Sequence, residues 1–90
     1  MGYGSASIAT NTATNVVSAN AQRISLIVTN IGTGPVFLGP DSSVTSANGT
    51  KLITNGTLSE DLGMGSGYKG PVWARAGSLG TTVTYWERTR

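Results

Sequence analysis

Cysteine and histidine are both absent from this chain of 90 residues, and only 11% of its residues are charged. Without cysteine, the fold has no disulfide framework and no thiolate metal site. Without either residue, it also lacks the usual thiol nucleophile and the side chain that most often transfers protons near neutral pH. A serine nucleophile would need some other base. These absences argue against catalysis, and we predict a non-enzymatic protein with no cofactor.

A cluster of basic side chains is missing as well, although the formal net charge is +2. The six Lys and Arg residues are scattered singly, whereas nucleic-acid-binding surfaces concentrate them in a patch or stripe. No apolar run approaches the roughly 18 residues of a membrane-spanning helix. The N-terminal MGYGSASIAT has neither the basic nor the apolar region of a signal peptide. We therefore expect no nucleic-acid partner, no membrane partner and a product that stays in the cytoplasm where it is made.

Acidic side chains are too few and too dispersed to indicate a metal site. The four are Asp41, Glu60, Asp61 and Glu87. Glu60 and Asp61 are sequence neighbours, so a strand projects them to opposite sides. One interpretation is a calcium site built from Asp41, Glu60 and Asp61 with backbone carbonyls. Solvated acids in loops are the simpler interpretation, and we predict no metal.

A glycine-rich segment, Gly65 to Gly70 (GSGYKG), has the letter pattern of a dinucleotide-binding loop. Such a loop works only when it leads into a helix whose N-terminus faces the phosphate. Here Pro71 follows at once, and Val72 to Arg75 has the pattern of a strand. We interpret the glycines as a turn.

Helical periodicity is missing along the whole chain, whereas period-two alternation is common. It is clearest in Arg23 to Asn30 (RISLIVTN), where Leu26 and Val28 face one way and Ile27 faces the other. Because both faces carry an aliphatic residue, we expect a central strand, covered by the core on one side and partly covered on the other.

Further short strands flank this one, separated by turn formers. The other predicted strands are 15–18, 36–38, 51–54, 57–62, 71–76 and 81–89. The turn residues at 30–35 and 77–80 favour hairpins, and the Asn-Gly pairs at 48–49 and 55–56 predict tight reversals. The sequence thus predicts an all-β fold, a small antiparallel β-sandwich or barrel of six to eight short strands. Residues 13–90 form this single domain, and residues 1–12 are either an extended N-terminal arm or an edge strand.

Aromatic side chains concentrate in the last third of the chain, where they can form core, a subunit interface or a sugar-stacking platform. Arg75 shares its strand face with Trp73 and can stack on it. The candidate interface or glycan-contact residues are therefore Tyr68, Trp73, Arg75, Tyr85 and Trp86.

Two stretches, RISLIVTNIGTGPVFLG at 23–39 and YKGPVWA at 68–74, resemble a pattern recurrent in small virion proteins of tailed bacteriophages. The pattern is an arginine, an aliphatic strand ending in Asn, a Gly-containing turn and a Val-aromatic-Leu-Gly strand. A Gly turn, a Leu and a Tyr-x-Gly-x-Val-aromatic-Ala strand follow later. The matching positions are Arg23, Leu26, Val28, Asn30, Gly32, Val36, Phe37, Leu38, Gly39, Gly49, Leu52, Tyr68, Gly70, Val72, Trp73 and Ala74.

The resemblance implies a non-enzymatic β-sandwich that sits on a phage particle, as a capsid decoration protein, a head-fibre component or a small tail accessory. Its partners would be other virion proteins, and the polar N-terminal segment is similar to arms that attach such proteins to a neighbouring subunit. We expect a homo-oligomer, with a trimer favoured. The alternative is a carbohydrate-binding or host-receptor-contacting module, in which Tyr68, Trp73 and Arg75 line a platform for a host surface glycan.

Overall fold

Eight β-strands form the regular structure in the part of the chain that the computed structural model describes, residues 2–61, 69–77 and 80–89. They are β1 (Gly2–Ile8), β2 (Thr14–Val17), β3 (Arg23–Asn30), β4 (Val36–Gly39), β5 (Thr50–Leu52), β6 (Thr57–Asp61), β7 (Val72–Ala76) and β8 (Thr81–Thr89). These elements confirm the predicted all-β class. Leu62, the last residue of one predicted strand, lies outside the described residues.

The strands form two antiparallel sheets of four strands each, which pack face to face as a sandwich. The first sheet has the order β1-β8-β3-β6 and the second the order β2-β7-β4-β5. β3 lies between β8 and β6, as expected of a central strand. Buried side chains alternate with more exposed ones along β4 and β7, and the buried side chains exclude water between the sheets. The core consists of Ile8, Val16, Val17, Leu26, Val28, Val36, Leu38, Leu52, Val72, Ala74, Ala76 and Val83.

Two of the predicted hairpins are wrong. β3 belongs to the first sheet and β4 to the second, and the same separation holds for β8 and β7. The β3–β4 and β7–β8 connections each carry the chain from one sheet to the other, as does the Asn55-Gly56 turn between β5 and β6. Asn55 has the positive φ of 67° that such a turn requires. Turn residues thus predict where the chain reverses, whereas pairing between distant strands decides which sheet the next strand joins.

The corner after β3 is built around the buried side chain of Asn30. Its Nδ2 donates to the carbonyls of Gly34 at 2.8 Å and Leu52 at 3.0 Å. Its Oδ1 accepts from the backbone N–H of Gly32 and the hydroxyl of Thr81, both at 3.0 Å. The amide therefore uses all of its hydrogen-bonding groups. Gly32 is required here, because a Cβ atom would lie 1.7 Å from Oγ1 of Thr81.

A buried ion pair closes the other end of β3. Strict alternation would turn Arg23 outwards with Ser25, but the register against β8 shifts between these two residues and Arg23 is fully buried. Its Nε lies 2.6 Å from Oε2 of Glu87. Its remaining guanidinium nitrogens donate to the carbonyls of Gly70 at 2.9 Å and Ser18 at 2.8 Å. This one side chain therefore ties two strands of the first sheet to two neighbouring connections.

Candidate functional site

A row of apolar side chains crosses the outer face of the first sheet. The register places Tyr3 of β1 opposite Trp86 of β8, and Trp86 opposite Ile27 of β3. Their exposed fractions are 83%, 50% and 36% respectively. Paired strands lie about 4.8 Å apart, so the three side chains are immediate neighbours. We call Tyr3, Trp86 and Ile27 the aromatic row.

Hydroxyl side chains form the next row on the same face. The same pairings align Ser5, Thr84, Thr29 and Thr57 across the four strands of the sheet. The hydroxyl oxygens of Thr29 and Thr57 lie 3.1 Å apart. None of these side chains carries a formal charge, so a partner can cover them without removing an ion from water.

An exposed arginine borders the aromatic row on its other side. The register places Arg88 of β8 opposite Ser25 of β3. The face therefore has an apolar row with hydroxyl groups on one side and a cation on the other. An apolar centre with a polar rim is the arrangement found in many protein interfaces.

The outer face of the second sheet is partly covered by the β4–β5 loop, residues 40–49. Val44 from this loop is only 2% exposed. Two glycines make room for it, because a Cβ atom on Gly39 or Gly49 would lie 2.8 Å from a side-chain carbon of Val44. The same added atom on Gly49 would lie 2.7 Å from Cβ of Phe37. The two outer faces thus differ, since a loop packs on the second whereas the aromatic row of the first is exposed.

Side chains of the β4–β5 loop hold it in place. Oδ1 of Asp41 accepts from the backbone N–H of Ser43 at 2.9 Å and from the Ser43 hydroxyl. These two hydrogen bonds lower the pKa of the Asp41 carboxyl below its ordinary value, and the bond from the hydroxyl has the larger effect. Oδ1 of Asn48 accepts from the N–H of Thr45 at 2.7 Å, and its Nδ2 donates to the carbonyl of Ser43 at 3.4 Å. The loop is therefore an ordered cover for the second sheet.

Two of the predicted contact residues, Trp73 and Arg75, lie on the outer face of the second sheet, and both are partly exposed. Trp73 is opposite Asn15 of β2 and Gly39 of β4. Nε of Arg75 donates to the carbonyl of Thr10 at 3.1 Å, so this side chain holds the β1–β2 connection. The two residues share a face, as their spacing predicts.

The other predicted contact residues lie elsewhere. Trp86 belongs to the aromatic row, whereas its neighbour Tyr85 points inwards and packs against the core. Tyr68 lies outside the described residues. The structure therefore places the four described candidates on two opposite outer faces and in the interior, and does not bring them together in one site.

Sequence reasoning missed Tyr3 and Ile27 as members of the exposed row. Alternation within β3 turns Ile27 away from the core, but nothing local places it beside an aromatic residue. The neighbourhood arises because β1 and β3 pair with the two sides of β8. One sequence signal was available. Tyr3, Ser5 and Ser7 are spaced two residues apart, so a strand places their side chains on the same face.

A shallow depression of about 360 Å³ lies beside the covered face of the second sheet. Its lining includes the Arg75 side chain and the hydroxyl residues Thr10, Thr45 and Ser46. The guanidinium is already engaged by the Thr10 carbonyl. The depression therefore offers a ligand both apolar surface and hydroxyl groups.

Comparison with protein-family models, with curated proteins and with solved structures finds no match for the chain. Within the described ranges, no three His, Cys, Asp or Glu residues are grouped so that they could hold a metal ion. The described residues also include no helix long and apolar enough to cross a membrane. Function must therefore be argued from the surface of the sandwich.

Proposed function

We propose that the protein is a non-enzymatic structural component of a tailed-bacteriophage virion, where it decorates or stabilises the capsid or attaches to the head or tail as an accessory. It docks on another virion protein through the outer face of its first sheet. The exposed aromatic row is the observation that carries the docking. The resemblance of residues 23–39 and 68–74 to small virion proteins supports the location.

The residues that carry the resemblance include several that hold the scaffold together. Arg23 forms the buried ion pair with Glu87. The side chain of Asn30 forms hydrogen bonds at the corner after β3, and Gly32 allows the backbone there to lie close to Thr81. The resemblance therefore supports a shared sandwich more directly than a shared binding surface. The aromatic row is separate from these positions, so it is the part of the molecule to test for docking.

The size of the aromatic row favours weak contacts repeated many times. Covering the exposed parts of Tyr3 and Trp86 removes roughly 300 Å² of side-chain surface from water. At about 25 cal/mol per Å², this contributes about 7.5 kcal/mol. The loss of rotational and translational freedom on binding costs about 4–15 kcal/mol. A single copy thus binds weakly through this row, whereas a self-associated protein on a repeated lattice gains avidity.

Self-association is therefore part of the proposal. The sequence favours a trimer, made in the host bacterial cytoplasm and carried on the assembled particle. Sedimentation of the purified protein measures the number of subunits directly, and a strictly monomeric protein would remove the avidity on which the docking depends.

The docking is tested by measuring incorporation of tagged variants into phage particles with quantitative mass spectrometry. We expect Trp86→Ala and Tyr3→Ala to lower the copy number per particle, because each removes apolar contact from the aromatic row. Ile53→Ala is the matched control, since Ile53 is 64% exposed and lies outside the aromatic row. Absence of the unaltered protein from purified particles would overturn the virion assignment, and normal incorporation of both aromatic variants would overturn the docking face.

A second candidate is a carbohydrate-binding or host-receptor-contacting module, favoured by the half-exposed ring of Trp86 beside the hydroxyl row. Aromatic rings stack on sugars, and hydroxyls can bond to them. In this case, titration with a host surface glycan quenches tryptophan fluorescence. Trp86→Phe, which leaves Trp73 as the remaining tryptophan, should then abolish the quenching. Quenching that persists in Trp86→Phe would instead point to the platform predicted around Trp73 and Arg75.

A further inference from the structure

The four edge strands of the sandwich differ in how they are protected. An edge strand has unpaired backbone groups that attract other strands, and proteins block this with charges, bulges or very short strands. β6 carries Glu60 and Asp61, and the three-residue β5 carries Lys51. The register of β2 shifts between Asn15 and Val17. Three of the four edges therefore carry a protective feature.

β1 is the edge without these features. Its seven residues, GYGSASI, include no charged residue and no proline. It is also the longest of the edge strands, and its register with β8 is regular from Gly2 to Ile8. By the rules that govern edges, this strand is open to pairing with another strand.

The register identifies which backbone groups of β1 are available. The N–H of Ile31 donates to the carbonyl of Thr82 at 3.0 Å, so Thr82 and every second residue after it bond to β3. The residues between them bond to β1, because antiparallel strands alternate in this way. Tyr3, Ser5 and Ser7 lie opposite the residues that bond to β3. Their N–H and C=O groups therefore point to the free edge.

We propose that β1 pairs antiparallel with β1 of a second copy, about a two-fold axis at Ser5. In this register Ser5 lies opposite Ser5 of the second copy, and Tyr3 lies opposite Ser7 of the second copy. It is the register that uses all of the free backbone groups on both strands. It joins two four-stranded first sheets into one continuous sheet and closes after two subunits.

The partner strand is β1 of a second copy, because each of the other three edge strands described in this protein carries a protective feature. Among these four edges, an unprotected partner for β1 is therefore another β1. The side chains at the junction are also small. Ser5 and Ser7 lie on the outer face, and Gly4 and Ala6 on the inner face. Tyr3 then lies over Ser7 of the second copy, which brings the aromatic rows of both subunits onto one surface. This pairing is independent of the virion assignment, and it replaces the trimer favoured by the sequence with a dimer.

Single cysteines test the register, because the natural chain contains none. In the proposed pairing the Cα atoms of the two copies of residue 5 are about 5.5 Å apart, within the range for a disulfide. We expect Ser5→Cys to form a covalent dimer under mild oxidation. Tyr3→Cys and Ser7→Cys should each remain uncrosslinked alone and crosslink when mixed. Thr57→Cys, on the opposite edge of the same sheet, is the control.

Sedimentation of the isolated protein tests the assembly itself. The unaltered chain should form a dimer. Ser5→Lys should raise the dissociation constant several-fold, since it places like charges opposite each other, whereas Thr57→Lys should not. Circular dichroism of each variant verifies that the sandwich is intact. A monomer or trimer in sedimentation, or crosslinking of Thr57→Cys as fast as Ser5→Cys, overturns the pairing. A trimer would overturn this pairing and leave the avidity of docking in place, whereas a monomer would remove both. The virion assignment itself is tested separately, by the presence of the unaltered protein in purified particles.

Discussion

Tyr3 and Trp86 lie directly opposite each other, although one belongs to the first of the eight strands and the other to the last. The exposed row that they form with Ile27 therefore exists only when β1 and β8 are paired. β1 is a paired strand of the first sheet, and the side chain of its last residue, Ile8, is buried in the core with 2% exposure.

Ile8→Ala should lower the free energy of unfolding by about 2–5 kcal/mol, because it leaves a cavity between the sheets. Ile53→Ala, at a position that is 64% exposed, should change it by about 0.5 kcal/mol or less. Urea denaturation followed by tryptophan fluorescence measures both. Equal stability of the two variants would mean that β1 contributes no core residue and behaves as a free arm.

Arg23→Ala should lower the free energy of unfolding by about 3–5 kcal/mol, because it leaves the carboxylate of Glu87 buried without its charged partner. The double variant Arg23→Met with Glu87→Leu removes both charges and should recover a large part of that loss. Arg88→Ala is the control, since Arg88 is an exposed arginine on β8, the strand of Glu87. A double variant no more stable than Arg23→Ala would contradict this account of the ion pair.

Gly32→Ala should lower the free energy of unfolding by about 3 kcal/mol, because the added carbon overlaps Oγ1 of Thr81 at the corner after β3. Gly80→Ala is a matched control, since its nearest contact would be an ordinary 3.4 Å to the carbonyl of Ile8. Thermal unfolding compares the two variants. Similar melting temperatures would show that the corner yields more easily than its hydrogen bonds suggest.

Acid should loosen the β4–β5 loop through Asp41, whose pKa lies below its ordinary value of 3.8 because of the hydrogen bonds from Ser43. A depressed folded-state pKa means that the stabilisation is fully present above the unfolded-state pKa. It is lost as the pH falls through the folded-state value. Ser43→Ala should raise the titration midpoint of Asp41, followed by NMR, whereas Ser42→Ala should not. An unchanged midpoint in Ser43→Ala would exclude the hydroxyl as the main cause.

Most of the strands were predictable from local patterns, whereas residues 1–12, which contain β1, were left open as an arm or an edge strand. β3 begins and ends at the residues that the pattern RISLIVTN indicates, and the span predicted for β8 is equally close. Alternation also predicts that Val83 and Trp86 face opposite ways, as they do. These features require only neighbouring residues and a two-residue period.

The site was less predictable because it depends on pairings between distant strands. The turn formers after β3 and β7 indicated hairpins, but the following strands join the opposite sheet. Trp73 and Trp86 were grouped by their closeness in the sequence, and the sandwich places them on opposite outer faces. Arg23 was one scattered cation among six, and only the register shift beside Ser25 turns it inwards. Local pattern cannot encode such long-range choices.

The pairing of β1 with β8 also governs how the molecule is made. β1 leaves the ribosome before its partner exists, so the first sheet can close only after β8 has been synthesised. Until then the uncharged β1 is exposed on both edges, and nascent chains on neighbouring ribosomes can pair through it. Slowing elongation ahead of β8 would therefore lengthen the interval in which the newborn protein is most prone to aggregate.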